Sequence, residues 1–99
     1  MPDLSRAHIA ILTFEMMIPS SDSLKSKRRV VKSLKDRVRA RFNASVAEIA
    51  YLEEWQRALI GVAMIGNDRR FLESNLSAVN RLVEGEGDIR LLNSTVEWL

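Results

Sequence analysis

The sequence predicts an α+β fold, a two-layer sandwich built in the order β-α-β-β-α-β. Three observations carry that expectation. Two segments repeat apolar residues at helical spacing, four others are strand-like runs, the third of them rich in Ile, Val and Met, and Pro, Gly or Ser/Asn/Asp clusters separate them.

His8 to Ile18 reads as the first strand. Leu12, Phe14, Met16 and Ile18 alternate with Thr13, Glu15 and Met17, which fits one covered face and one more polar face. Pro19 ends the ladder, and Ser20–Ser23 supplies loop residues and a helix cap. From about Leu24 a helix carries Leu24, Val31, Leu34, Val38 and Phe42 on one stripe, with Asn43 as its expected C-cap. Ser45 to Tyr51 is the second strand, Leu52 to Gln56 a connection, and Ala58 to Ile65 the third strand. Gly66-Asn67-Asp68 opens a second helix with Leu72, Leu76, Val79 and Val83 inward, stopped by Gly85 and Gly87. Ile89 to Trp98 closes the chain as a fourth strand. Right-handed crossovers place both helices on one face of an antiparallel sheet. The result is the ferredoxin-like arrangement, strand order 4-1-3-2, as a single domain over 1–99 with one sheet face uncovered.

Composition limits the chemistry. Without cysteine there is no disulfide, thiolate metal site or cysteine nucleophile. Met1-Pro2-Asp3 has no leader-like charge, and the apolar stretch from Ala7 to Ile18 is too short to span a bilayer, so a cytoplasmic protein without a membrane partner is expected. No Gly-rich phosphate loop, zinc spacing or Ser-His-Asp set is present, so no catalytic residue, metal ligand or cofactor is assigned. His8, the one histidine, has no obvious acid or nucleophile partner and reads as an ordinary strand residue.

The net charge of +2 hides a strong asymmetry. Nine of the fifteen Lys and Arg residues lie between Leu24 and Phe42, against Asp36 as the one acid there. Arg28, Lys32, Lys35 and Arg39 share one line of the helix, flanked by Lys25 and Arg29, with Lys27 at its start. Such a stripe attracts polyanions and gives salt-dependent affinity without base specificity. The competing interpretation is a solvated face whose long stems cover apolar surface.

Strand parity assigns the uncovered face. Thr13, Glu15 and Met17, then Arg57, Leu59, Gly61 and Ala63, then Asn93, Thr95 and Glu97 are expected there, with Leu92, Val96 and Trp98 inward. With Ile49 taken as core, Val46, Glu48 and Ala50 join the open face. Two readings follow. Ile9, Ile11, Leu59 and Ala63 rimmed by Glu15, Glu48 and Arg57 would form an interface for a second copy or a protein partner. Glu15, Glu48 and Glu97 together would hold a hard cation or share a proton, as in a carboxylate-dependent hydrolase. The face lacks the aromatic platform on which RNA-recognition domains stack bases. Trp55 is expected to pack its loop onto the body, and Asn67-Asp68 to cap a helix rather than hold an anion.

The runs Ile18-Pro19, Ser23–Leu34, Arg41–Glu48, Trp55–Ala58 and Glu97-Trp98 resemble the YlxP-like family, a bacterial group of unknown function. The resemblance covers nearly the whole chain and implies the same ferredoxin-like fold. Relatives encoded beside translation initiation factor two and ribosome-binding factor A imply a link to ribosome assembly or translation. The resemblance supplies no catalytic residues. The leading expectation is a non-enzymatic factor for structured RNA or a ribosomal particle, contacting phosphates through Lys25, Lys27, Arg28, Arg29, Lys32, Lys35 and Arg39. The interface module and the hydrolase stand as alternatives.

Overall fold

The computed structural model describes residues 3–99, so the leader reading of Met1 and Pro2 lies outside the described residues. After a short 3-10 turn at Leu4–Arg6, the order is β1 (His8–Met17), α1 (Leu24–Arg41), β2 (Ser45–Ala50), β3 (Arg57–Gly66), α2 (Arg69–Glu84) and β4 (Arg90–Trp98). The four strands form one antiparallel sheet in the order β2-β3-β1-β4, the 4-1-3-2 arrangement expected. None of the described helices is long and apolar enough to cross a membrane.

Alternation along the central pair builds the core. Ala10, Leu12, Phe14 and Met16 of β1 stand opposite Met64, Val62, Ile60 and Ala58 of β3, and all eight are buried. Val31, Leu34 and Val38 of α1 and Leu72, Leu76, Val79 and Val83 of α2 close over them. The Ser23 hydroxyl accepts the Ser26 amide at 3.0 Å to start α1, and Asp68 accepts the Phe71 amide at 3.3 Å to start α2. Helix α1 ends at Phe42 rather than Asn43, because Phe42 is already extended while its N–H still reaches the Val38 carbonyl at 2.9 Å. Ile18 lies just past β1, buried, with its amide donating to the Gln56 carbonyl at 2.8 Å.

Two bulges change the expected parity. In β2, Glu48 faces Ile60 and Ala50 faces Leu59, so Ile49 is the extra residue. Val46 and Glu48 therefore point toward the helices and Ile49 toward the open face, 56% exposed, the reverse of the expectation. Ile49 lies across Gly61, where a Cβ would come within 3.0 Å of it. In β4, Glu15 faces Asn93 and Met16 faces Leu91, so Leu92 is the extra residue. Leu91, not Leu92, packs on the core. Asn93, Thr95 and Glu97 occupy the open face as expected.

Candidate functional site

Helix α1 separates its charged residues by angle. Its inward stripe is Lys27, Val31, Leu34 and Val38, at spacings of four, three and four. Lys27 is thus withdrawn from solvent, 0% exposed, and this corrects its place among the phosphate-binding residues. Its ammonium donates to the Tyr51 carbonyl at 2.6 Å and lies 2.7 Å from Glu48 Oε2, a charge contact outside hydrogen-bond geometry. A buried ammonium needs such an acid beside it, and the reversed parity of β2 supplies one.

The outward face carries Lys25, Arg28, Arg29, Lys32 and Arg39, all exposed, with Lys35 half-buried at its edge. Asp36 is the one acid among them. Lys32 donates to it at 2.8 Å, and Arg39 lies at 4.0 Å while also donating to the Val46 carbonyl at 3.0 Å. The hydrogen bond from Lys32 holds the Asp36 carboxyl below its ordinary 3.8, against a smaller opposing cost of burial and with help from the charges of Lys32, Arg39 and Lys35. Asp36 is therefore an anion at neutral pH, and the six cations of this face keep a net +5. Among the described residues, Lys25, Arg28, Arg29 and Lys35 have no acid within ion-pair distance. From Lys25 to Arg39 the ridge runs about 21 Å at the helical rise of about 1.5 Å per residue. At one side Arg37 pairs with Glu86 of the α2–β4 connection, a contact that nothing in the sequence pattern signals.

The open face holds Ile9, Ile11, Glu15, Arg57, Leu59 and Ala63 where parity put them. Ile65 and Ile49 extend its apolar part, at 62% and 56% exposure. Glu15 accepts from Arg57 Nε at 2.8 Å and stands 2.6 Å from its Nη2. That hydrogen bond, more than any other influence, raises the guanidinium's pKa above its ordinary value. The Arg57 guanidinium also covers the Tyr51 ring at 3.9 Å.

The three carboxylates expected to share a site do not meet. Glu48 is on the helix side with Lys27, Glu15 is held by Arg57, and Glu97 faces Ile11, four residues or about 13 Å along β1 from Glu15. Among the described residues no group of three or more His, Cys, Asp and Glu could hold a metal ion. The carboxylate-hydrolase alternative loses its site, and Glu48 leaves the open-face interface.

The β2–β3 loop also departs from expectation. Trp55 does not pack its loop onto the body: it is 54% exposed. The loop is fastened instead by Gln56, whose amide donates to the carbonyls of Pro19 and Ser21, both at 3.1 Å.

Two comparisons bear on this chain. A family model described as "Protein of unknown function (DUF503)" matches residues 9–96. The chain is 34% identical over 84 residues to the "Uncharacterized protein YlxP" of Bacillus subtilis (strain 168), covering 85% of this chain and 91% of that relative.

Proposed function

We propose, for a chain that belongs to the DUF503 family of proteins of unknown function, a non-enzymatic role in the cytoplasm as a factor for structured RNA, free or within a ribosomal particle. Its phosphate-binding surface is the outward face of α1. The observation that carries this reading is a net +5 on six cationic side chains, four of which have no acid partner among the described residues. Like charges three and four residues apart destabilise a helix while unneutralised. Phosphates meeting the ridge would remove that repulsion and release the condensed counterions of the nucleic acid.

Binding of a structured RNA hairpin should weaken steeply with salt, with a log–log slope of about −4 to −5 for five neutralised phosphates. Neutralising Arg28, Arg29 and Lys35 together to Gln should flatten that slope by about three, one for each phosphate left without its cation, and weaken binding at least tenfold. Arg28 and Arg29 are exposed and Lys35 stands half-buried at the edge of the face, outside the core, so the fold should be kept, as circular dichroism would check. Unchanged affinity in the triple variant would overturn the reading.

A second reading rests on the uncovered sheet face, where Ile49 and Ile65 lie more than half exposed beside Ile9, Ile11, Leu59 and Ala63. A contiguous apolar patch of this kind is the surface that a second copy would bury. Sedimentation equilibrium at high protein concentration should then show a dimer that Ile65→Lys disperses. A monomer throughout argues against self-association.

A further inference from the structure

Beside the cationic ridge, α1 and the α2–β4 connection border a half-open cavity of about 220 Å³. Its floor is apolar, made by Val30, Leu34 and Ile89, all packed on the core. Around it stand the Ser33 hydroxyl and the carboxylates of Glu86 and Asp88, with Arg29 and Arg37 as cations. Arg29 belongs both to this cavity and to the exposed face, so the two are continuous. Pockets for drug-sized ligands run to about 300–1,000 Å³, and this smaller one suits a single planar ring system.

Charge divides the surface into two parts. The two carboxylates of the cavity balance its two guanidinium groups, whereas the ridge outside keeps its net positive charge and is the stronger attractor of a phosphate. A nucleotide would be divided along the same line, its phosphate on Arg29 and Lys32 and its base inward over the aliphatic floor. Carboxylates accept hydrogen bonds from an exocyclic amine, as Glu and Asp do from cytosine N4, and have nothing to accept from the corresponding carbonyl of uracil. The Arg37 guanidinium, fixed by its ion pair with Glu86, offers a planar surface to the ring. Among the described residues, Asp88 has no ion pair or side-chain hydrogen bond that occupies its oxygens.

We infer that this cavity takes one unpaired, amino-bearing nucleobase, with cytosine the best fit, splayed from the RNA whose phosphates lie on α1. The inference rests on the reading of α1 as the phosphate-binding face and adds to it a preference for RNA carrying an unpaired base.

Fluorescence anisotropy with three RNA hairpins tests it: one fully paired, one with a single bulged cytosine and one with a single bulged uracil. The wild-type chain should bind the bulged-cytosine hairpin roughly tenfold more tightly than the paired one, and the bulged-uracil hairpin about as weakly as the paired one. The double change Glu86→Gln with Asp88→Asn should leave paired RNA bound as well or better, since it removes negative charge, yet erase the cytosine advantage. Ser33→Trp, at an exposed position, should fill the cavity and erase it as well. Equal wild-type affinity for paired and bulged-cytosine hairpins would overturn the cavity assignment and leave the ridge standing. A cytosine advantage that survives both variants would overturn it too. Failure to bind any of the three hairpins removes the ridge reading and this one together.

Discussion

Lys27→Met should destabilise the fold by about 3 kcal/mol, near the lower end of the cost of removing one partner from a buried ion pair. Methionine keeps the length and apolar stem of lysine, so the packing beside Val31 changes little. What changes is electrostatic. Glu48 loses the ammonium 2.7 Å away, and the Tyr51 carbonyl loses the donor at 2.6 Å. Glu48 is itself 13% exposed and can reach water, which holds the loss to the lower end of the range. For a chain of this size the midpoint of thermal unfolding should fall by about ten degrees or more. Adding Glu48→Leu to Lys27→Met should restore most of the loss, because an apolar pair of similar volume often matches a buried ion pair. Urea unfolding of the two single variants and the double variant measures the coupling directly. A Lys27→Met protein as stable as the wild type would mean that the ammonium contributes nothing in its buried position.

Phe14→Ala should cost still more, about 3–5 kcal/mol. Phe14 is fully buried at the centre of β1, one of the two inner strands, opposite Ile60 on one neighbour and Ser94 on the other. Helices close over this face of the sheet, so the surroundings have little room to collapse into the space left. Small domains hold only about 5–15 kcal/mol in all, and the variant should populate unfolded chain measurably at physiological temperature. Phe14→Leu, which leaves a smaller void, should lose well under half as much. Equal urea midpoints for Phe14→Ala and the wild type would show that the ring is not packed as described.

The fold was legible in the sequence because α2 and β1 carry clean periodicity and the apolar run of β3 is bounded by turn residues. Leu12, Phe14 and Met16 alternate cleanly, and Leu72, Leu76, Val79 and Val83 repeat without a gap. The edge strands were less so. Each contains a bulge, at Ile49 and at Leu92, and one inserted residue sends every side chain on one side of it to the opposite face. Hydrophobicity placed Ile49 inward and Glu48 outward, and the bulge together with Lys27 reversed both. A signal for this was present. Lys27 stands four residues before Val31 and seven before Leu34, on the apolar stripe itself, and a lysine there requires an acid beneath it. Within a window of nine cations its different position does not stand out. The cavity beside α1 was not legible, because Glu86 and Asp88 approach Arg29 and Arg37 only through the path of the α2–β4 connection.

Tyr51 has a φ of 64°, the left-handed region in which glycine is at ease and a ring-bearing residue is not. Its main-chain oxygen serves the covered layer through Lys27, while its ring serves the opposite layer through Arg57. Glycine would relax the backbone at this corner but remove the ring that Arg57 covers. One residue thus touches both sides of the sheet, meeting the first turn of α1 through its carbonyl and Arg57 of the open face through its ring.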